Sequence, residues 1–465
     1  MGGAAGKHFV AEGPDRCEGR LPEGPHGANL PPVPAPPAPL VQGYRERPWW
    51  WEAAPPPPAT GPRRLPGAVD VLVVGAGYTG LAAAREVAGR GRSALVLERD
   101  ALGTGASTRN GGMAHPGVKR SLPDLLAEGP DGRALWDATV DGFLALERLV
   151  ADEGIDCHYR RTGHVVLAHR AAAMDGLRAS EKAHREVGDE VRLLARDELA
   201  EEVGTPAYEG GLVVGLSGGL HPARLFAGVL GLATAAGATV ADRTAVTGVE
   251  RRRGGGFTVR TSRGTVAAGD VLVATNATAA TPPALVPWLA RRVLAVGSFI
   301  VATEPLAPDA AAATIARDRM LFDTRNFLRY WRLAPDGRML FGGRTSFART
   351  TVARSRDRLY RAMVAVHPQL RGVRVTNAWG GLVGLTIDRQ PHVGRVDGVA
   401  YAGGWCGSGV VLSNHVGALV GRWLADGGPP PPFTGRRWPR VPAPGRSPWL
   451  LPVGGWYYRA RDRFG

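Results

Sequence analysis

The chain has 465 residues, enough for two or three domains and a large core. Its 44% apolar and 7% aromatic content excludes a disordered chain and suits a globular enzyme. The formal charge of +15 raises nucleic acid as a partner, yet Arg251-Arg252-Arg253 and Arg436-Arg437 stand far apart, and no zinc-finger spacing, RNA-recognition aromatic pattern or basic heptad helix accompanies them.

Residues 1–42 are rich in Gly and Pro, as in PPVPAPPAPL (31–40). They hold too few bulky apolar side chains to offset the entropy of ordering, and are expected to be disordered. A lead-in over 43–67 carries Trp49-Trp50-Trp51, then Pro55 to Pro58. Adjacent tryptophans are costly to leave in water and are expected to pack on the folded body. VDVLVVGAG (69–77) reads as a buried parallel strand ending in glycines. LAAAREVAGRG (81–91) reads as a helix closed by Gly91, and SALVLER (93–99) as a second buried strand. Together they form a β-α-β unit.

Further along, AAAMDGLRASEKAHREV (171–187) and RDELAEEV (196–203) read as helices, and HPARLFAGVLGLATAAG (221–237) as a helix of small residues. TAVTGVERR (244–252), FTVRTSRGTV (257–266) and DVLVATNA (270–277) follow. They suggest strands around a tight turn, then a return to the parallel sheet. FLRYWRLAPDGRMLFGG (327–343) reads as a hairpin about Pro-Asp-Gly. The tail after Gly428, ending WYYRARDRFG (456–465), is expected to lie against the body.

Cys17, Cys157 and Cys406 are too few and too scattered for a disulfide framework or a metal cluster. That favours a reducing compartment. No run reaches about 18 uninterrupted apolar residues, and the N-terminus lacks the apolar core of a signal peptide. A cytoplasmic protein without a membrane span or bound metal is expected.

Three glycine motifs carry the chemistry. In the first, Gly75-Ala76-Gly77-Tyr78-Thr79-Gly80, Gly75 serves a tight turn and Gly77 a close approach to a pyrophosphate. Gly80 serves helix–strand packing. The helix start then offers N–H groups and a partial positive charge to phosphates. Glu98 closes the second strand, where an acid accepts ribose hydroxyls. That argues against a 2′-phosphate, although neighbouring Arg99 weakens the argument. The motif alone does not separate FAD from NAD. The second motif, Gly103-Thr104-Gly105-Ala106-Ser107-Thr108-Arg109-Asn110-Gly111-Gly112, offers backbone donors to an extended ligand, a segment that an NAD enzyme does not need. The third, Gly403-Gly404-Trp405-Cys406-Gly407-Ser408-Gly409-Val410, follows a strand VAYA (399–402) and enters a helix over 411–426. It is either a helix start aimed at the flavin pyrimidine edge or another phosphate loop.

VVGAGYTGLAAAREVAGRG, GASTRNGG, GGLHPARL, DVLVATNA, WGGLVGLTIDRQPHVG (379–394) and YAGGWCGSGVVLS (401–413) occur in the order of the D-amino-acid-oxidase-like FAD oxidoreductases. The chain resembles that family over roughly 44–465, above all its γ-glutamylputrescine-oxidase-like amine oxidoreductases. The resemblance implies an α/β fold: a Rossmann-like FAD-binding domain with an inserted α+β substrate domain on a large mixed or antiparallel sheet. The FAD domain would take 68–135, 205–287 and 376–428, the substrate domain 136–204 and 288–375, and a packed tail 429–465. By position, Val246 would contact adenine. Ser107, Arg109, Asn110, Gly111 and Gly112 would line the central cofactor, and Gly407, Ser408, Gly409 and Val410 would approach the ring. Gly105, Ala106, Thr275 and Asn276 join the cofactor set.

Asn110 stands where relatives with histidine-linked flavin carry that histidine, and Gly381 where others carry a linking cysteine. Noncovalent FAD is therefore expected. Ser408 replaces a frequent histidine. The implied reaction is hydride transfer from the carbon of a small amine or amino acid to flavin N5, giving an imine that hydrolyses. O2 or an electron carrier would reoxidise the flavin. No catalytic base is obligatory. Arg329 and Tyr330 are the substrate-binding candidates, as carboxylate clamp and pocket cap. His115, His221 and His392 flank cofactor motifs and read as structural. An oxidase and a dehydrogenase compete as readings, with a non-catalytic flavoprotein behind them. GGWCGSGV lacks the Gly-Asp pair of aromatic-ring monooxygenases.

Overall fold

A run of apolar residues buried on both faces makes a parallel strand, not an amphipathic one. The stretch Val71–Val74, almost wholly buried, does so at the centre of one of two large sheets. The computed structural model describes residues 37–59, 61–281, 285–343 and 350–442. Its strands in chain order are β1 Leu40–Arg45, β2 Ala68–Val74, β3 Ala94–Leu97, β4 Met113–Ala114, β5 His164–Leu167, β6 Val191–Leu194, β7 Gly211–Val214, β8 Gly218–Gly219, β9 Thr239–Ala241 and β10 Val246–Arg251. They continue with β11 Phe257–Thr261, β12 Gly264–Val273, β13 Leu294–Pro305, β14 Met320–Asp323, β15 Arg329–Leu333, β16 Arg338–Gly343, β17 Val375–Leu385, β18 His392–Val396 and β19 Val399–Gly403. The helices are α1 Trp50–Ala53, α2 Tyr78–Ala88, α3 Leu122–Leu126, α4 Pro130–Asp152, α5 Ala173–Glu186, α6 Pro222–Ala235, α7 Pro287–Ala290, α8 Pro308–Thr314, α9 Val352–Val366 and α10 Gly409–Asp426. Among the described residues no helix is long and apolar enough to cross a membrane.

The first sheet runs β10-β11-β12-β2-β3-β9, with β19 beside β12 and β18 paired to β19. Strands β12, β2, β3, β9 and β19 are parallel, so their carboxyl ends share one edge. The expected β-α-β unit is β2-α2-β3. The turn at Ser262-Arg263 joins β11 to a single ten-residue β12, longer than the strand expected over 270–277. Helices α2, α4, α6 and α10 share one apolar core against this sheet.

The second sheet runs β1-β17-β13-β16-β15-β14-β5-β7-β6. The 327–343 hairpin is its β15-β16 pair, with Arg329 opposite Gly343 and Leu333 opposite Met339. One face, bearing Val301, Phe341, Trp331, Leu321 and Val165, is buried with Leu359, Tyr360 and Met363 of α9. The other face turns towards the glycine motifs.

Several expected boundaries move. The extension expected to be disordered through residue 42 is structured from Ala38, because Val375 N–H donates to the Pro39 carbonyl and β1 pairs in parallel with β17. Main-chain pairing stabilises this edge without needing bulky side chains. Strand β7 falls in a segment assigned to the cofactor domain, and β17 straddles its boundary at 376, yet both belong to the second sheet. Helix α4, assigned to the substrate domain, packs its Phe143 and Leu146 into the core of the first sheet. The 196–203 stretch forms only a 3-10 turn over Asp197–Glu201. Most of the tail expected to pack on the body lies outside the described residues.

Candidate functional site

The first glycine motif turns from β2 into α2. Gly75 holds φ +104, a region that other residues adopt only with strain. Its N–H donates to the Leu97 carbonyl, tying the turn to β3. A Cβ on Gly80 would run into the Gly75 carbonyl, so the close helix–strand approach needs glycine there. Gly77 precedes α2 and offers no side-chain cap of its own. Tyr78 and Thr79 are buried in the first turn, and Tyr78 Oη donates to the Pro222 carbonyl at 2.8 Å. Burial raises the Tyr78 phenol well above its ordinary range.

Glu98 ends β3 as expected. Its carboxylate accepts the Ala76 N–H at 3.0 Å and the Asp100 N–H at 3.1 Å. Burial raises its pKa, and these bonds only partly offset that. Arg99 turns aside to pair with Asp100 at 2.9 Å. Thr244 N–H donates to the Glu98 carbonyl at 2.7 Å, which brings the start of β10 and Val246 beside the acid.

The second motif crosses the α2 start. Ser107 Oγ accepts the Tyr78 N–H at 3.1 Å and stitches the two motifs together. A Cβ on Gly105 would meet nothing within 4 Å among the described residues, and neighbouring Ala106 is exposed. Asn110 is consumed in folding the loop: its amide donates to the Ala106 and Ser107 carbonyls and its Oδ1 accepts the Gly112 N–H. Gly112, at φ +65, sits so close to the Leu220 carbonyl that no side chain fits. Arg109 donates to the Thr104 carbonyl at 2.7 Å and to the Gly380 carbonyl at 3.0 Å, and burial lowers its pKa. Gly381 lies beside the aliphatic stem of Arg109.

The third motif leaves β19 and enters α10. Asn276, at φ +45, accepts the Gly404 N–H on its side-chain oxygen at 2.9 Å. This joins the end of β12, with Thr275, to the third loop. Gly407 holds φ +109, and a Cβ there would meet nothing within 4 Å among the described residues. Ser408 precedes α10 without capping it by its side chain, and Gly409 and buried Val410 begin the helix. Helix α10 crosses α2 in contact: a Cβ on Gly417 would lie 2.6 Å from the Thr79 carbonyl oxygen.

The residues present fit FAD. The α2 start, whose Tyr78 N–H is taken by Ser107, the α10 start without a side-chain cap, glycines whose Cβ would meet nothing within 4 Å among the described residues, and a carboxylate held by two amides lie at the carboxyl ends of β2, β3 and β19. In open α/β sheets that edge is where nucleotides bind.

The two substrate candidates part company. Cross-strand neighbours share a face. Tyr330 lies opposite Gly342 and Phe322, and its ring packs on Gly342 and against Gly111. Its hydroxyl meets Ser298 Oγ at 3.1 Å. Arg329 sits one residue away, so alternation places it on the face of Trp331, away from the glycine loops. Its expected role as a clamp beside Tyr330 is therefore corrected.

Arg332 shares the Tyr330 face and was not anticipated. It is buried, and donates to the Gly112 carbonyl at 2.7 Å and the Leu220 carbonyl at 3.1 Å. Burial lowers its pKa to about 10. His115 and His164 close the same region, each edge-on to Phe322. Burial lowers both imidazoles. His221 caps α6 by accepting the Arg224 N–H, and His392 pairs with Asp388 at 2.9 Å beneath the stacked Trp438. The sequence signal that pointed furthest was Trp49-Trp50-Trp51: Trp50 is wholly buried and packs edge-on to His221.

Over residues 70–423 the chain matches the sequence model of a family described as DAO, FAD dependent oxidoreductase. The probable oxidoreductase OrdL of Haemophilus influenzae is 32% identical over 357 residues, covering 76% of this chain and 81% of that protein. The gamma-glutamylputrescine oxidoreductase of Escherichia coli is 32% identical over 413 residues, covering 85% and 93%. The crystal structure of glycine oxidase from Geobacillus kaustophilus superposes with a TM-score of 0.68 at 23% identity, over 80% of this chain and 99% of that one, and shares the fold. A match that begins in β2 and ends within α10, with relatives at this identity along most of their length, places the chain in the DAO family of FAD-dependent oxidoreductases.

Proposed function

We propose that the protein oxidises a small primary or secondary amine or amino acid with noncovalently held FAD, passing the electrons to O2 and forming peroxide. The observation that carries this reading is the second glycine turn, stitched to the first through Ser107, lying against the Tyr330 face of the second sheet. The names of the relatives, an oxidoreductase of gamma-glutamylputrescine and a glycine oxidase, support a carbon–nitrogen bond as the target.

Bound FAD would supply the acceptor for a hydride leaving the carbon that bears the amine. The chain's own groups do the rest. The α2 start would hold the pyrophosphate, and Glu98 the ribose hydroxyls, with Val246 beside the adenine. Ser107 through Gly112 would follow the chain of the cofactor, and Gly407 to Val410 would approach the ring. The partial positive charge at the α10 start favours negative charge nearby. Tyr330 and Phe322 offer apolar surface to the substrate, and Tyr330 Oη with Ser298 offers a polar handle. The burial that lowers the His115 and His164 imidazoles also disfavours an ammonium ion, so the amine would give up its proton to solvent on entering. The imine product then takes up water, giving a carbonyl compound and ammonia or a smaller amine.

The test is anaerobic mixing of the flavin-loaded protein with a panel of amines and amino acids. Bleaching by at least one amine, followed by rapid recolouring and peroxide on admitting air, is the expected result. Slow recolouring with an amine would replace the oxidase by a dehydrogenase. Failure of every amine to bleach the flavin would overturn the proposal.

A further inference from the structure

Three indole N–H groups hold three consecutive residues of the second glycine loop. Trp51 Nε1 donates to Thr108 Oγ1 at 3.1 Å, Trp379 Nε1 to the Arg109 carbonyl at 2.9 Å, and Trp50 Nε1 to the Asn110 carbonyl at 2.9 Å. They arrive from two elements far apart in the chain. Trp50 and Trp51 belong to α1, ahead of the 70–423 span of the family match. Trp379 belongs to β17 of the second sheet. The same strand anchors the α1 segment, because Asn377 Nδ2 donates to the Arg47 carbonyl at 3.3 Å and to Glu52 Oε1 at 3.2 Å. The Arg109 guanidinium lies 4.7 Å from the centre of the Trp51 ring while bonded to the Gly380 carbonyl, which closes the bracket from the other side.

We propose that Trp50, Trp51 and Trp379 form an indole clamp that sets FAD affinity, as positioning residues acting through the 108–110 backbone. The reason is peptide geometry. In a trans peptide the C=O and the following N–H point in opposite directions. Fixing the carbonyls of Arg109 and Asn110 on the indoles therefore aims the N–H groups of Asn110 and Gly111 away from the indoles. Amide donors aimed in advance lose less freedom when a ligand binds. The lead-in segment is then part of the cofactor site, and the second sheet reaches the cofactor through Trp379 as well as through Tyr330. This rests on the reading of Gly105 to Gly112 as a cofactor-facing loop.

The experiment compares Trp50→Phe, Trp51→Phe and Trp379→Phe with Trp331→Phe, all in the full chain. Phenylalanine keeps a ring and removes the N–H. Trp331 is also wholly buried, but on the opposite sheet face, and its Nε1 has no hydrogen-bond partner among the described residues. Each protein is stripped of flavin and titrated with FAD, and the visible spectrum of the bound form is recorded. Each clamp variant should raise the FAD Kd roughly five- to tenfold, the size of one net hydrogen bond. Trp331→Phe should lower Tm without moving the Kd. Trp51 is only half-buried, so its variant remains informative if Trp50→Phe fails to fold. Clamp-variant Kd values within twofold of wild type, or an equal rise in Trp331→Phe, would overturn the clamp. Amide exchange of residues 105–112 in the wild type separates the two layers of the argument. No protection by FAD would remove the loop assignment itself. Protection with unchanged Kd values in the variants would remove only the clamp.

Discussion

Replacing Gly417 by alanine sets two effects of known size against each other. Within a helix, alanine is favoured over glycine by about 1 kcal/mol. Taken alone, that predicts a more stable protein. The new methyl group, however, would lie 2.6 Å from the Thr79 carbonyl oxygen and 2.9 Å from the Thr79 Cα, both backbone atoms that cannot rotate aside. Ordinary contact begins at 3.4 Å, so α10 and α2 must separate by about 0.8 Å. Overpacking of this kind costs roughly 1–3 kcal/mol. The clash therefore cancels the propensity gain and exceeds it by up to about 2 kcal/mol. Thr79 lies in the first turn of α2, so the displacement also tilts the helix start proposed to hold the pyrophosphate, and FAD affinity should fall roughly tenfold with it. Gly231→Ala in α6 is the control: its Cβ would meet nothing within 4 Å, so propensity acts unopposed and stability should rise by about 0.5–1 kcal/mol. Urea unfolding of the apoprotein and FAD titration read the two quantities. A Gly417→Ala protein more stable than wild type, with unchanged FAD affinity, would refute the reasoning.

Acidification should destabilise the protein through His221, whose imidazole burial pushes down from the usual 6.5 to about 4. Between those values the unfolded chain binds the proton and the folded one does not, so stability falls as pH drops through the window, by up to about 3 kcal/mol. His221→Asn keeps an α6 cap, and urea unfolding at pH 7 and pH 5 should show its pH dependence flattened; parallel curves would exclude the residue. Arg332→Leu removes the guanidinium bonds to the Gly112 and Leu220 carbonyls, of which Gly112 keeps only the Leu220 N–H, and should cost about 2–3 kcal/mol in the same assay. Arg332→Lys should recover part of that loss, and equal losses in the two variants would mean that the charge-assisted bonds are not what matters. Acid precipitation of the flavin-loaded protein should leave the yellow colour in the supernatant, since Asn110 is occupied in the loop and Gly381 has no side chain. Colour in the pellet would show a covalent link.

Much of the site could be read from local patterns. Gly75, Gly77, Gly80 and Glu98 sit in a strand–turn–helix–strand whose spacing reflects one structural unit, so sequence order and spatial order coincide. What escaped was information carried between distant segments. GLVV at Gly211–Val214 suits either sheet equally, and only its pairing with β5 and β6 decides. Leu40–Arg45 is held by backbone groups, which composition does not register. Arg329 and Tyr330 were grouped as neighbours, but a strand sends neighbours to opposite faces, and which face meets the cofactor depends on the whole sheet. The tryptophan run signalled packing, while the choice of Thr108 and Asn110 as acceptors rests on indole direction, which has no one-dimensional signature.

Strand β2 lies between β12 and β3, although β3 follows it closely in the chain and β12 is far downstream. On the ribosome, β2 therefore waits with one hydrogen-bonding edge open until the segment ending at Val273 has emerged, on the order of tens of seconds at ordinary elongation rates. The wait exposes the apolar run Val71–Val74 along an unpaired edge. Slower synthesis prolongs this interval, and a holding chaperone shields it, so yield of soluble protein should depend more on what covers that nascent edge than on the stability of the finished fold.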